Sequence, residues 1–225
     1  MRRLPLTVIC DFDDTAAAQN VAHLLLDKFA GGRDQKHLEG LRAGRLSFRE
    51  YQERAFLETR VPVHEMEAYV RANASLRPGF SESVQAARAA GVAFAIVSAG
   101  LDFYIRALLD REGHEALPVT AVKATQAKPP GQRIRYDYPQ GQEQCRGDWA
   151  VCKCRAVEAA KAEGGRVIFA GDGVRSDACA AAKADVIFAR ARLLEHCKAE
   201  NIAAEPFDGD LFPLAEYLDR QRTAK

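Results

Sequence analysis

Five short runs of consecutive apolar residues, at 6–12, 92–98, 118–122, 166–171 and 185–189, constrain this chain most. A strand with one face in water alternates apolar and polar side chains, whereas a strand covered on both faces does not. Runs such as Val92-Ala93-Phe94-Ala95-Ile96-Val97 and Arg166-Val167-Ile168-Phe169-Ala170 therefore predict a parallel sheet buried between layers of helix. Helical stretches separate the runs. Phe80 to Ala90 closes at Gly91, Asp102 to Arg111 stops near Gly113, and 153–163 stops at Gly164-Gly165. Glycine suits the residue that follows a helix. Strand and helix in alternation predict an α/β fold with a doubly wound, Rossmann-like parallel sheet.

Residues 16–76 break that rhythm, with amphipathic helices expected at 18–29, 47–58 and 63–73. Ser47-Phe48-Arg49-Glu50 has the spacing of a capping box and opens the second of them. The chain thus divides into a core domain, 1–15 and 77–225, and a small helical cap, 16–76, inserted after the first strand. A second insert, 123–150, carries Pro129-Pro130-Gly131 and the alternating Arg133-Ile134-Arg135-Tyr136-Asp137-Tyr138, and reads as a hairpin or loop.

With 225 residues the chain can build one good core plus a smaller module. A net charge of +1, with acids and bases interspersed, argues against nucleic acid or an anionic membrane as partner. Met1-Arg2-Arg3-Leu4-Pro5-Leu6 begins like a signal peptide, but its apolar run ends at Asp11, too early for the hydrophobic region. No stretch approaches a membrane span, so a cytoplasmic protein is expected. Of six cysteines, Cys10, Cys179 and Cys197 sit in apolar or Ala-rich segments and are expected to be buried. Cys145, Cys152 and Cys154 form a cluster that the sequence leaves open between packed thiols, a bound metal and a redox pair.

Chemistry concentrates where the apolar runs end. Asp11-Phe12-Asp13-Asp14-Thr15 follows the first run, and two acids can converge where a strand ends and the chain turns. Such a pair suits one metal and one reacting phosphorus, because an aspartate attacks phosphate once a cation screens the charge. Ser98-Ala99-Gly100 ends the second run, Lys153 opens a helix, and Gly171-Asp172-Gly173 ends another run with Asp177 five residues on. Each has an ordinary alternative: an acidic turn, a helix cap, a solvated lysine, a tight turn, a first-turn acid facing the helix dipole. Ligands of open α/β sheets bind beyond the carboxyl ends of the strands, so the fold itself would gather these residues.

In order, these segments resemble the motifs of the haloacid dehalogenase superfamily, and the chain resembles its phosphatases over nearly its whole length. The resemblance implies Mg²⁺-dependent hydrolysis of a small-molecule phosphate ester through an aspartyl-phosphate, by a monomer or homodimer. It implies Asp11 as nucleophile and Asp13 as the acid that protonates the leaving oxygen and then activates water. The metal would be held by Asp11, Asp172 and the main-chain carbonyl of Asp13, with Asp177 supporting the metal shell or orienting Lys153. Lys153, Ser98 and the amides of Ala99 and Gly100 would bind the phosphoryl group, and Thr15 would steady the loop and touch it. Asp14 stands where the superfamily most often has glycine. The Asp172–Asp177 spacing is one residue longer than usual in this branch, which is expected to displace the second carboxylate.

The helical insert resembles the caps of the branch containing phosphoserine phosphatases. There an acid five positions after the motif threonine receives the substrate ammonium. Here that position is Asn20, with no acid between Asp14 and Asp27, so an amino-acid substrate is disfavoured and Asn20 becomes a candidate substrate contact beside His23. The segment from Cys145 to Cys154 and the stretch Ala184-Asp185-Val186-Ile187-Phe188-Ala189-Arg190 resemble the methionine-salvage phosphatases. These imply 2-hydroxy-3-keto-5-methylthiopentenyl-1-phosphate as substrate. The alternatives are a phosphoserine-type or other small-metabolite phosphatase, phosphoryl transfer to another acceptor, a phosphonatase or dehalogenase, and a phosphate-binding protein without turnover.

Overall fold

A computed structural model of the protein describes residues 5–127, 134–139, 150–162 and 164–223. Cys145 and Pro129-Pro130-Gly131 lie outside the described residues. Seven strands form one sheet: β1 Leu6–Cys10, β2 Ala93–Leu101, β3 Val119–Gln126, β4 Ile134–Asp137, β5 Arg166–Gly171, β6 Val186–Ala189 and β7 Glu205–Pro206, in the order β4-β3-β2-β1-β5-β6-β7. Every neighbouring pair is parallel except β3–β4, an antiparallel hairpin with Ala124 opposite Tyr136. The mixed α/β fold therefore has the mostly parallel sheet expected.

The physical reason is visible in β5, where Val167, Ile168, Phe169, Ala170 and Gly171 are buried in succession. A strand can hide consecutive side chains only when both of its faces are covered. Helices α7 (Lys153–Ala162), α8 (Val174–Ala181) and α9 (Ala191–Ala199) pack one against the next. Elsewhere α5 (Phe80–Ala90) packs along α10 (Phe212–Thr223), and α6 (Asp102–Arg111) lies on β3. Edge strand β4 instead alternates half-buried and exposed positions.

Between β1 and α5 the chain makes an irregular turn, Phe12–Ala16, and then four helices: α1 Val21–Phe29, α2 Gln35–Arg42, α3 Phe48–Leu57 and α4 Val63–Asn73. The capping box of α3 is formed: Glu50 N donates to Ser47 Oγ and Ser47 N donates to Glu50 Oε2. Helix α2 was not expected, because its sequence is polar and interrupted by Gly40. The insert packs on the core through α4 against α6 and through Phe56, edge-on to Phe103 with centroids 6.4 Å apart.

The two chain segments that join insert and core lie side by side. Ala17 bridges Leu76, Ala18 N donates to Ser75 O (2.9 Å) and Arg77 N donates to Ala16 O (2.8 Å). The buried Arg77 guanidinium donates to the carbonyls of Asp14, Thr15, Ala17 and Ala18, and across the core to those of Asp208 and Gly209. One expectation fails here: Cys179 is exposed, because its position on α8 turns it away from the core. Cys10 and Cys197 are buried as expected, and Cys152 and Cys154 are buried with their sulfurs 3.1 Å apart. No helix among the described residues is long and apolar enough to cross a membrane.

Candidate active site

Asp11 stands just beyond the carboxyl end of central strand β1, its amide bound to Ala170 O of neighbouring β5 (2.9 Å). Its Oδ1 accepts from Phe12 N at 2.7 Å, which fixes the carboxylate against its own turn. Its Oδ2 lies 2.7 Å from Lys153 Nζ, and the same ammonium lies 2.5 Å from Asp177 Oδ1. Burial alone would lower the Lys153 pKa, but Asp11 and Asp177 outweigh it and hold the ammonium charged, with its pKa above the ordinary value. Burial raises the Asp11 carboxyl well above the usual range; Lys153 opposes this, and Asp177 and Asp172 add to it.

Asp172 and Asp177 arrive from the end of β5 and the first turn of α8. Asp177 Oδ2 accepts from the amides of Asp172 (3.1 Å) and Gly173 (2.9 Å), and Oδ1 accepts from Ser176 Oγ and Lys153. Gly171 makes room for this arrangement: a Cβ there would come within 2.7 Å of Asp177 Oδ2. The extra residue between Asp172 and Asp177 therefore does not remove the second carboxylate from the site. Carboxylate oxygens of Asp11, Asp172 and Asp177 all lie within 4.8 Å of one another. Burial, then the charge of Asp177, lifts the Asp172 pKa to about 6. Three carboxylates around one ammonium leave surplus negative charge in a site of oxygen donors only, the surroundings a hard divalent cation favours.

Asp13 lines one cleft with Asp11 and Asp172 but is not part of that carboxylate group, its oxygens being bound to α1 and α6. Its Oδ1 accepts from Val21 N (2.7 Å) at the start of α1, and its Oδ2 accepts from the Tyr104 hydroxyl (2.7 Å). Burial raises its pKa, with Tyr104 and the α1 amides opposing. Gly100 permits this approach, because a Cβ there would overlap the Tyr104 hydroxyl and come within 2.9 Å of Asp13 Oδ2. Asp14 adopts a left-handed φ of 58°, which explains why glycine would serve at this position, and its carbonyl accepts from both Arg77 (2.7 Å) and Arg190 (2.8 Å).

A cleft of about 200 Å³ brings together Asp11, Asp13, Ser98, Ala99, Gly100, Lys153 and Asp172 from the core with Asn20, Phe48 and Gln52 from the insert. Three expected residues have placements of their own. Thr15 is fully buried and donates to Asp172 Oδ1 (3.1 Å), behind the cleft instead of along its wall. Ser98 lies within β2, at an irregularity between Val97 and Leu101 and before α6 begins; its Oγ accepts from Gly100 N (3.0 Å). Asn20 caps α1, accepting from His23 N (2.9 Å), while its amide donates to Asp14 Oδ2 (3.3 Å). His23 itself is exposed.

Tyr104, Gln52, Ser176, Arg77 and Arg190 were not anticipated. Tyr104 carried one faint signal, a tyrosine in the first turn of the helix after Ser98-Ala99-Gly100. Ser176 stands beside Asp177 and bonds to it, while Gln52, Arg77 and Arg190 act across long sequence separations that no local pattern marks.

Residues 8–182 match the family of haloacid dehalogenase-like hydrolases. Two relatives, from Microcystis aeruginosa and Exiguobacterium sp. strain AT1b, are described as 2-hydroxy-3-keto-5-methylthiopentenyl-1-phosphate phosphatases. They are 31% and 30% identical, and each match covers 94% of this chain and 96% of the relative. A substrate-bound phosphoserine phosphatase structure superposes with a TM-score of 0.69 at 18% identity, over 96% of this chain and 99% of that one.

Proposed function

We propose, for a chain that belongs to the haloacid dehalogenase-like hydrolase family, hydrolysis of a small phosphate monoester through an aspartyl-phosphate on Asp11. The observation that carries this is Asp11 Oδ2 held 2.7 Å from the buried Lys153 ammonium at the open end of β1. Asp11 attacks phosphorus, the ester oxygen leaves, and Asp13 gives that oxygen a proton. The raised Asp13 pKa supports such a donor. In the second half Asp13 takes a proton from water, the water oxygen attacks phosphorus, and phosphate and free Asp11 result. Lys153 offsets phosphoryl charge, and Asp177, bonded to Lys153 and to two main-chain amides, holds that ammonium in place.

Asp11, Asp172 and Asp177 would hold a Mg²⁺ ion, with the Asp13 carbonyl as a further oxygen. When bound it would supply positive charge against the negative charge of the transferring phosphoryl group. Ser98 and the Ala99 and Gly100 amides cradle the phosphoryl oxygens. Thr15 serves by orienting Asp172. Residues 16–76 act as a cap that shields the aspartyl-phosphate from bulk water, and Phe48, Gln52 and Asn20 are its contributions to the cleft.

For the natural substrate we propose 2-hydroxy-3-keto-5-methylthiopentenyl-1-phosphate, on the strength of relatives 30–31% identical along nearly the full chain. The absence of an acid at position 20 supports it over an amino-acid phosphate. The test is phosphate release from that ester and from phosphoserine, with Mg²⁺ and with chelator. A higher kcat/KM for the keto ester supports the reading, and a higher one for phosphoserine overturns the substrate assignment. Absence of metal-dependent release from any monoester overturns the function.

A further inference from the structure

Gln52 of α3 is 4% exposed and lines the cleft from the side of the insert. Its Nε2 donates to Ala99 O at 2.9 Å. A carbonyl oxygen only accepts, so this bond fixes which way the amide is turned. The amide oxygen, Oε1, is buried as well and has no hydrogen-bond partner among the described residues. Leaving a buried acceptor unmet costs about 1–3 kcal/mol, and folded proteins carry few such atoms. A leucine or methionine would fill the position without that cost.

We infer that Gln52 reads a hydroxyl on the leaving group, on the carbon next to the one that bears the phosphate; this rests on the phosphatase reading of the same cleft. Ala99, to which the amide is tied, stands between Ser98 and Gly100 in the proposed phosphoryl cradle. Gln52 Oε1 belongs to the amide bound there, so it meets the first atoms of the leaving group and not its far end. The atom is an uncharged acceptor, which matches a neutral O–H. The nearby carboxylates are already engaged, Asp11 by Lys153 and Asp13 by Tyr104 and α1. Phe48 beside it offers only apolar contact. The substrate class is therefore a 2-hydroxyalkyl or 2-hydroxyalkenyl phosphate, a description that the ester named for the relatives satisfies.

The experiment compares 2-hydroxyethyl phosphate with ethyl phosphate, a pair that differs by one hydroxyl. The same proteins are titrated calorimetrically with 3-hydroxypropylphosphonate and propylphosphonate, in which a methylene replaces the ester oxygen and which need no turnover. In the wild type with Mg²⁺, kcat/KM and affinity should favour the hydroxylated member by about tenfold or more, the effect of one unmet acceptor. In Gln52→Met and Gln52→Leu both ratios should fall to near unity. Each ratio is taken within one variant, so a change in folded fraction or in general activity cancels. A wild-type ratio near one, a preference that survives both substitutions, or no binding of either phosphonate overturns the assignment. Calorimetric discrimination that depends on Gln52, without metal-dependent release from any monoester, would leave the hydroxyl-reading role of Gln52 standing and remove the phosphatase reading instead.

Discussion

Tyr104 donates its buried hydroxyl to Asp13 Oδ2 at 2.7 Å, across 91 residues of sequence. Together with Val21 N on Oδ1, it leaves the Asp13 carboxyl one orientation. A general acid must point at the leaving oxygen before its pKa matters.

Tyr104→Phe should lower kcat by about tenfold, a part of what general acid–base catalysis typically supplies. A hydrogen bond donated to a carboxylate favours its charged form, so losing it raises the Asp13 pKa further. The limb of the pH–rate profile that reports Asp13 should move to higher pH. An unshifted profile with full kcat would show that Tyr104 only packs.

Asp11→Asn should abolish phosphate release while the protein stays folded, because Asp177 still pairs with Lys153. Asp13→Asn should lose about 10²–10⁴-fold, the usual scale of an acid–base group. Intact-protein mass spectrometry of wild type quenched in acid during turnover should show one added phosphoryl group, absent in Asp11→Asn. Near wild-type release by Asp11→Asn rules out the aspartyl-phosphate.

Chelation should remove activity and Mg²⁺ restore it. Metal-free Asp172 has its pKa raised to about 6, so below that pH a proton competes for the same oxygens. The Mg²⁺ concentration for half-activation should rise by roughly tenfold per pH unit below about 6 if one proton is displaced, and level off above. A half-activation point constant from pH 7.5 to 5 would exclude Asp172 as a ligand.

Arg77→Met should destabilise the protein by about 3 kcal/mol or more, since charged donors serving several buried carbonyls are worth roughly 1.5–3 kcal/mol each without adding fully. On a chain of this size that is a drop in Tm of roughly 6–12 °C. Arg54→Met, at an exposed site, should change stability by no more than about 0.5 kcal/mol. Calorimetry of the two variants separates these outcomes, and equal Tm values would show that the Arg77 hydrogen bonds add nothing to stability.

The central strands were legible because burial on both faces writes an unbroken apolar run, as in β1 and β5. Edge strand β4 was legible only as alternation, and two-residue β7 wrote no pattern. Helix α2 was hidden because its packing uses Leu38, Leu41 and the small Gly40 in place of a wide apolar stripe. In the site, the acids and Lys153 could be read because strand ends are where an open sheet exposes functional groups. Gln52 and Tyr104 could not: their partners, Ala99 and Asp13, lie 47 and 91 residues away, and only folded packing joins them. Cys179 was misread because an alanine-rich helix gives little sign of which side faces water.

The bridge between Ala17 and Leu76 means that the excursion from the core leaves and returns through one narrow doorway. A segment anchored this way can vary in length, because the two joining stretches, and not what lies between them, set its place beside the open sheet that carries Asp11 and Asp172. If the excursion is the cap proposed above, new substrate preferences would arise by altering what is plugged in at the doorway, provided that the replacement still covers Phe103 as Phe56 does. Such change stays tied to the chemistry at one point, where Val21 N holds Asp13 Oδ1, with Arg77 as the fastening between the excursion and the core.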